Sequence, residues 1–143
     1  MTTSLVRHAF LSLAVLWFGS HATSYADQLE DIVSENEVRD ISVEQAKAFI
    51  SAYPDIVVLD VRTPREFSSG HIEGAENVNY LGFDFRLKLR DLSPDKTYLV
   101  HCRSGHRSER AVQIMQQEGL TRILHMDGGF NAWKDAEFAV SVD

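Results

Sequence analysis

The sequence predicts a single α/β domain built on a mainly parallel central sheet flanked by helices. Three observations carry that expectation. Strand-like and helix-like patterns alternate along the chain from Val38 onward, the order that a parallel sheet with helical crossovers requires. Ile56-Val57-Val58-Leu59 is an unbroken apolar run between breakers, as expected of a strand covered on both faces. A length of 143 residues suits one domain.

The elements follow in order. Residues 1–26 stand apart from the domain. Arg7 and His8 precede Ala9 to Phe18, a run of ten residues that is apolar except for Ser12, and Ser24-Tyr25-Ala26 places small residues at a cleavage site. That order of charge, apolar run and small-x-small site reads as a secretory signal, cut after Ala26. The run is too short for a membrane anchor, which needs about 20 apolar residues. Residues 27–37 form an acidic lead-in, and 38–143 the domain. Val38 to Ile41 is a short strand. Ser42 caps a helix with Gln45 three residues on, the spacing of a capping box, and Ala46, Phe49 and Ile50 give that helix its apolar face. After the strand at 56–59, Thr63-Pro64-Arg65-Glu66 opens a second capped helix, which Gly70 ends. Ala75 to Tyr80 reads as a strand and Phe83 to Leu89 as an amphipathic helix. Thr97 to His101 is a strand, Ser108 to Glu118 a helix stopped by Gly119, and Arg122 to His125 a strand. Asp127-Gly128-Gly129 turns into a last helix at Phe130 to Lys134.

Net charge is −7, and loss of the leader, whose only charge is Arg7, makes it one unit more negative. Nucleic acid and anionic membrane surfaces are poor partners for such a chain. A small anion is weakly repelled by the bulk field, so any anion site must be made locally. Cys102 is the one cysteine and has no partner for an internal disulfide. In an exported protein such a thiol is either buried or at work.

The informative stretch is His101-Cys102-Arg103-Ser104-Gly105-His106-Arg107-Ser108, between a predicted strand and a predicted helix. In open α/β sheets, ligands bind past the carboxyl ends of strands. A helix start offers unpaired amides and partial positive charge, and Arg103 and Arg107 add two cations. Both favour thiolate over thiol. Gly105 lets the loop curl so that successive amides point inward as an anion nest. Cys102 is therefore read as a nucleophile in an anion cradle. His101 and His106 lack metal-ligand spacing, and no metal is expected. Tyrosine phosphatases share a His-Cys strand end and a glycine-bearing loop, but place their arginine six residues after the cysteine. Here Arg107 is five after and Ser108 occupies the sixth position. A loop one residue shorter suits a single sulfur atom better than a phosphoryl group, and no upstream general acid is evident.

The chain resembles the rhodanese family from about Asp40 to Val140. Cys102-Arg103-Ser104-Gly105-His106-Arg107 is similar to the loop of small thiosulfate sulfurtransferases. Leu59-Asp60-Val61-Arg62, Glu66-Phe67 and Gly70-His71-Ile72 are similar to a first signature, which Gly74, Ala75 and Asn77 continue. Asp127-Gly128-Gly129 with Trp133 resembles the closing one. With its leader and single domain, the chain most resembles periplasmic phage-shock-type members. The resemblance implies that Cys102 thiolate takes the outer sulfur of thiosulfate, releases sulfite, and passes the persulfide sulfur to a thiophilic acceptor such as cyanide. It implies no cofactor. Cys102 is the expected catalytic residue, and Arg103, Ser104, Gly105, His106 and Arg107 the expected substrate-binding ones. Which arginine meets the donor and which braces the loop is left open. Asp60, Arg62, Glu66 and His71 are expected to tie loops together. The expected protein is a periplasmic monomer. The alternatives are a cysteine-based phosphatase or arsenate reductase, and a persulfide carrier or binding module.

Overall fold

The computed structural model describes residues 37–142; the leader and nearly all of the lead-in lie outside them. The elements are β1 (Val38–Ile41), α1 (Val43–Ala52), β2 (Val57–Asp60), α2 (Pro64–Ser68), β3 (Glu76–Asn77), α3 (Phe85–Arg90), β4 (Tyr98–His101), α4 (His106–Gln117), β5 (Ile123–Met126) and α5 (Gly129–Asp135). The five strands form one sheet in the order β1-β5-β4-β2-β3, and every pairing is parallel. No helix among the described residues is long and apolar enough to cross a membrane.

Helices cover both faces. Alternate residues along a strand point to opposite sides, so Val58, Leu99, Leu124 and Met126 pack with Ala46 and Phe49 of α1 and Phe130 and Trp133 of α5. Leu59, Tyr98, Val100 and Ile123 pack with Phe85 and Leu89 of α3 and Ala111, Val112 and Met115 of α4. All four residues of β4 are buried, because this strand has a neighbour on either side and a helix layer on either face. That is why its sequence shows no polar alternation.

Strand order reverses between β2 and β4. The chain leaves β2 toward β3 on one side and leaves β4 toward β5 on the other. The crevice at the carboxyl ends of these two neighbours is the place where open α/β sheets bind ligands. It receives the β2–α2 turn and the loop after β4.

Both predicted capping boxes form. Ser42 and Gln45 exchange bonds at the start of α1, and Thr63 and Glu66 do so at the start of α2. Three expectations change. The strand expected over 75–80 pairs only at Glu76–Asn77. It lies at the sheet edge, and beyond it Val78 N and Tyr80 N bond to Asp60 O and Val61 O outside any ladder. Helix α3 begins at Phe85 rather than Phe83, whose side chain is fully exposed. Helix α4 begins at His106 rather than Ser108, so Arg107 lies in its first turn.

Candidate active site

Cys102 follows β4 directly and is 1 % exposed. Its Sγ accepts a hydrogen bond from the amide of Gly105 at 3.2 Å and contacts the Ser108 hydroxyl at 3.4 Å. Gly105 is the residue before α4 and has φ +100°, a left-handed conformation that glycine reaches without a Cβ clash. That turn bends the loop back until its amide faces the sulfur. Burial alone pushes the Cys102 thiol up. The Ser108 hydroxyl and the amides of Ser108, Ser104 and Gly105 oppose burial and bring it below its ordinary value. These directed hydrogen bonds lead the depression, and the Arg107 guanidinium also interacts with the Cys102 sulfur through its charge.

The loop is clamped from behind by the start of α5. Phe130 N donates to Cys102 O at 2.8 Å and Asn131 N to Arg103 O at 2.9 Å. Gly129 has φ +60°, and a Cβ there would stand 2.5 Å from the Cys102 carbonyl oxygen. The Asp127-Gly128-Gly129 turn is thus a backbone surface shaped to the loop. His101 is wholly buried; burial lowers its affinity for a proton, and its ring stacks 6.2 Å from Phe130.

The two arginines separate. Arg107 reaches across the crevice and makes a two-point bond to Glu66, Nη1 to Oε2 at 2.8 Å and Nη2 to Oε1 at 2.7 Å. The Arg107 guanidinium holds the Glu66 carboxyl far below the usual carboxylate range, at about 2, with burial opposing and Thr63 helping. Arg103 is exposed instead. With Arg65 and Lys134 it lines a cavity of about 340 Å³ floored by Phe130. Among the described residues these three cations have no carboxylate partner. Arg107 therefore braces the loop and Arg103 stands at the rim of a locally basic cavity on an acidic protein.

Asp60 and Arg62 are turned into the fold. Arg62 Nε donates to Asp60 Oδ2 at 2.9 Å, its Nη2 donates to Gly70 O at 2.7 Å, and its guanidinium lies 4.0 Å over the Phe130 ring. Both residues are buried. His71 stacks 4.0 Å from Phe67 and its backbone pairs with Ser141. These contacts fit the loop-tying expectation. Ser104 and His106 lie on the exposed side of the loop, where Ser104 Oγ and His106 Nδ1 are 3.4 Å apart.

Behind the sulfur a chain of contacts runs from Ser108, known from the sequence only as the residue at the sixth position, to two residues that the sequence did not single out. Ser108 Oγ lies 2.9 Å from His125 Nε2, and His125 Nδ1 lies 2.7 Å from Asp40 Oδ1. The one signal for His125 was a polar residue inside the apolar run Ile123-Leu124-His125-Met126. Nothing local pointed to Asp40, which sits beside His125 through the β1–β5 register.

A cysteine loop at the switch point of a five-stranded parallel sheet, clamped by a second glycine turn, defines the class of this domain. Residues 42–136 match the Rhodanese-like domain family, and the chain belongs to that family. It is 34 % identical over 100 residues to the thiosulfate sulfurtransferase GlpE of Pseudomonas entomophila, covering 69 % of this chain and 87 % of that protein. It is also 34 % identical over 113 residues to Protein HIGH ARSENIC CONTENT 1, mitochondrial, of Arabidopsis thaliana, covering 72 % and 66 %. Among solved structures, the rhodanese-related protein of Thermoplasma volcanium superposes with a TM-score of 0.65 at 32 % identity, over 73 % of this chain and 99 % of that one.

Proposed function

We propose that this chain is a thiosulfate sulfurtransferase that carries sulfane sulfur on Cys102. The Cys102 thiolate attacks the outer sulfur of thiosulfate. A bond forms between Sγ and that sulfur, the sulfur–sulfur bond of thiosulfate breaks, and its electron pair leaves with sulfite. An acceptor such as cyanide then attacks the outer persulfide sulfur. The electron pair of the breaking bond returns to Sγ, and thiocyanate departs. No net oxidation and no cofactor are needed.

The carrying observation is the Cys102 sulfur facing the Gly105 amide at 3.2 Å, inside a loop whose Arg107 is engaged by Glu66. A phosphatase loop of the kind considered above needs its arginine on the phosphoryl oxygens. The cations Arg103, Arg65 and Lys134 supply attraction for a dianionic donor. The relative named for thiosulfate supports the donor, and the one named for arsenic keeps arsenate as the competing substrate. The leader read at residues 1–26 supports export to the periplasm, which amino-terminal sequencing of the exported chain tests.

Intact mass after incubation with thiosulfate tests the chemistry. The expected result is one added sulfur, removed by cyanide and missing from Cys102→Ala. No added sulfur, together with turnover of arsenate or an aryl phosphate, overturns the reading.

A further inference from the structure

Ser108 has one hydroxyl hydrogen and three acceptors around it. Its Oγ lies 2.8 Å from Gly105 O, 2.9 Å from His125 Nε2 and 3.4 Å from Cys102 Sγ. A hydroxyl donates one hydrogen bond, so its direction must be decided by a neighbour. Asp40 supplies the deciding constraint. Its Oδ1 is 2.7 Å from His125 Nδ1, and a carboxylate at that distance requires the proton on that nitrogen. Neutral His125 then offers only a lone pair at Nε2, which draws the Ser108 hydrogen away from the sulfur. Protonated His125 donates from Nε2 to Ser108 Oγ. The Ser108 hydrogen is then released from His125 and is shared between the two acceptors left to it, Gly105 O and Cys102 Sγ.

We propose that Asp40 and His125 are positioning residues that aim the Ser108 hydroxyl. In this arrangement the hydrogen bond to the Cys102 sulfur is made when His125 is protonated and withdrawn when it is neutral. The fold places the three partners by register. Asp40 lies opposite His125 across β1 and β5, and His125 lies opposite Val100, two residues before Cys102, across β5 and β4. The His125 side chain is 8 % exposed and that of Asp40 78 %, so the chain of contacts runs from a buried sulfur to solvent. It emerges in a second cavity of about 230 Å³, lined by Asp40 and His125 and by Ser104 and Gly105 of the loop. The other titratable groups facing that cavity are His106 and Glu109 of α4 and Asp127 after β5. Three carboxylates and a second imidazole thus share the field around His125. The basic cavity has a different lining with no residue in common, so anion and proton have separate approaches to the loop.

The consequence for sulfur transfer rests on the proposed persulfide reading. When the acceptor attacks, the bond between Sγ and the outer sulfur breaks and Sγ takes the electron pair. A hydroxyl aimed at Sγ stabilises the departing thiolate.

The test is the rate of Cys102 alkylation by iodoacetamide across pH, on the full chain and without any sulfur donor. The wild-type curve is expected to show two inflections, that of the thiol and a second one coupled to it through Ser108. Asp40→Asn, at an exposed position, is expected to move the second inflection to lower pH. His125→Gln is expected to abolish it. Ser108→Ala is expected to abolish it and to leave roughly tenfold less thiolate on the acid side of the second inflection, the loss of one hydrogen bond to a charged group. A single inflection in the wild type, or a second one that Asp40→Asn and His125→Gln both leave in place, overturns the proposal. If the coupled curve is seen but thiosulfate adds no sulfur, the relay stands and the sulfurtransferase reading falls.

Discussion

The Arg107 guanidinium and the Glu66 carboxylate, 41 residues apart in sequence, meet in a two-point bond of 2.8 and 2.7 Å. The bond spans the crevice between the turn after β2 and the start of α4. It ties the sulfur-bearing loop to the other side of the switch point. Glu66 also accepts from Thr63 N at 3.1 Å and from Thr63 Oγ1 at 2.8 Å. One carboxylate thus caps α2 and braces the loop.

Glu66→Gln should weaken both roles. The pair is partly exposed, with side chains 24 % and 29 % accessible, so solvent screening limits the loss to about 1–2 kcal/mol. Urea unfolding measures it. Turnover of thiosulfate should fall with it, because the loop loses its brace. Unchanged stability and unchanged turnover would remove the bridge from both arguments.

The same bond fixes an acid dependence. Folding lowers Glu66 from 4.5 to about 2, so its contribution is fully present above pH 4.5 and is lost as pH falls toward 2. The stability gap between wild type and Glu66→Gln should therefore be widest above pH 4.5 and close in strong acid. A gap that stayed constant down to pH 2 would contradict the assignment.

The division of labour between the arginines separates two variants. Arg103→Ala should raise KM for thiosulfate roughly fivefold, the loss of about 1 kcal/mol of screened attraction, and leave the unfolding midpoint in place. Arg107→Ala should lower the midpoint as well, since Glu66 then keeps a partly buried carboxylate without its cation. Steady-state kinetics with parallel thermal melts tell them apart. Equal melts for the two variants would show that Arg107 braces nothing.

Gly129→Ala should be among the most damaging small substitutions. The new methyl would stand 2.5 Å from Cys102 O, and the residue would be held at φ +60°. Overpacking and left-handed strain together are expected to cost about 2–4 kcal/mol. A crystal structure of the variant should show the loop displaced, and alkylation of Cys102 should slow.

Arg62→Met probes the buried pair. Asp60 is 0 % exposed and would be left charged without its cation, at an expected cost of about 3–5 kcal/mol. The additional change Asp60→Asn should recover part of that loss. No recovery would mean that Arg62 acts through its stacking on Phe130 rather than through charge.

Much of this could be read from local chemistry. The two capping boxes needed only residues three apart, and the buried strand at Val57–Asp60 announced itself as an apolar run between breakers. The start of α4 was harder, because Gly105 precedes it without a side-chain cap. The strand expected over 75–80 shrank because an edge position has one partner to pair with. Within the site, Cys102 and its loop residues were legible from spacing, but the partition of Arg103 from Arg107 was not. It depends on Glu66, brought near by the fold. Asp40 and His125 lie 85 residues apart, and only sheet register joins them.

The anchoring of Cys102 O and Arg103 O by Phe130 N and Asn131 N sets an order of assembly. The strand and the cysteine are made before the segment that secures them. During vectorial synthesis the thiol therefore exists for a time without the backbone donors that shape its loop. A chain truncated ahead of Gly129 would keep the nucleophile and lose its mould, leaving a cysteine that any passing oxidant meets in an unformed turn.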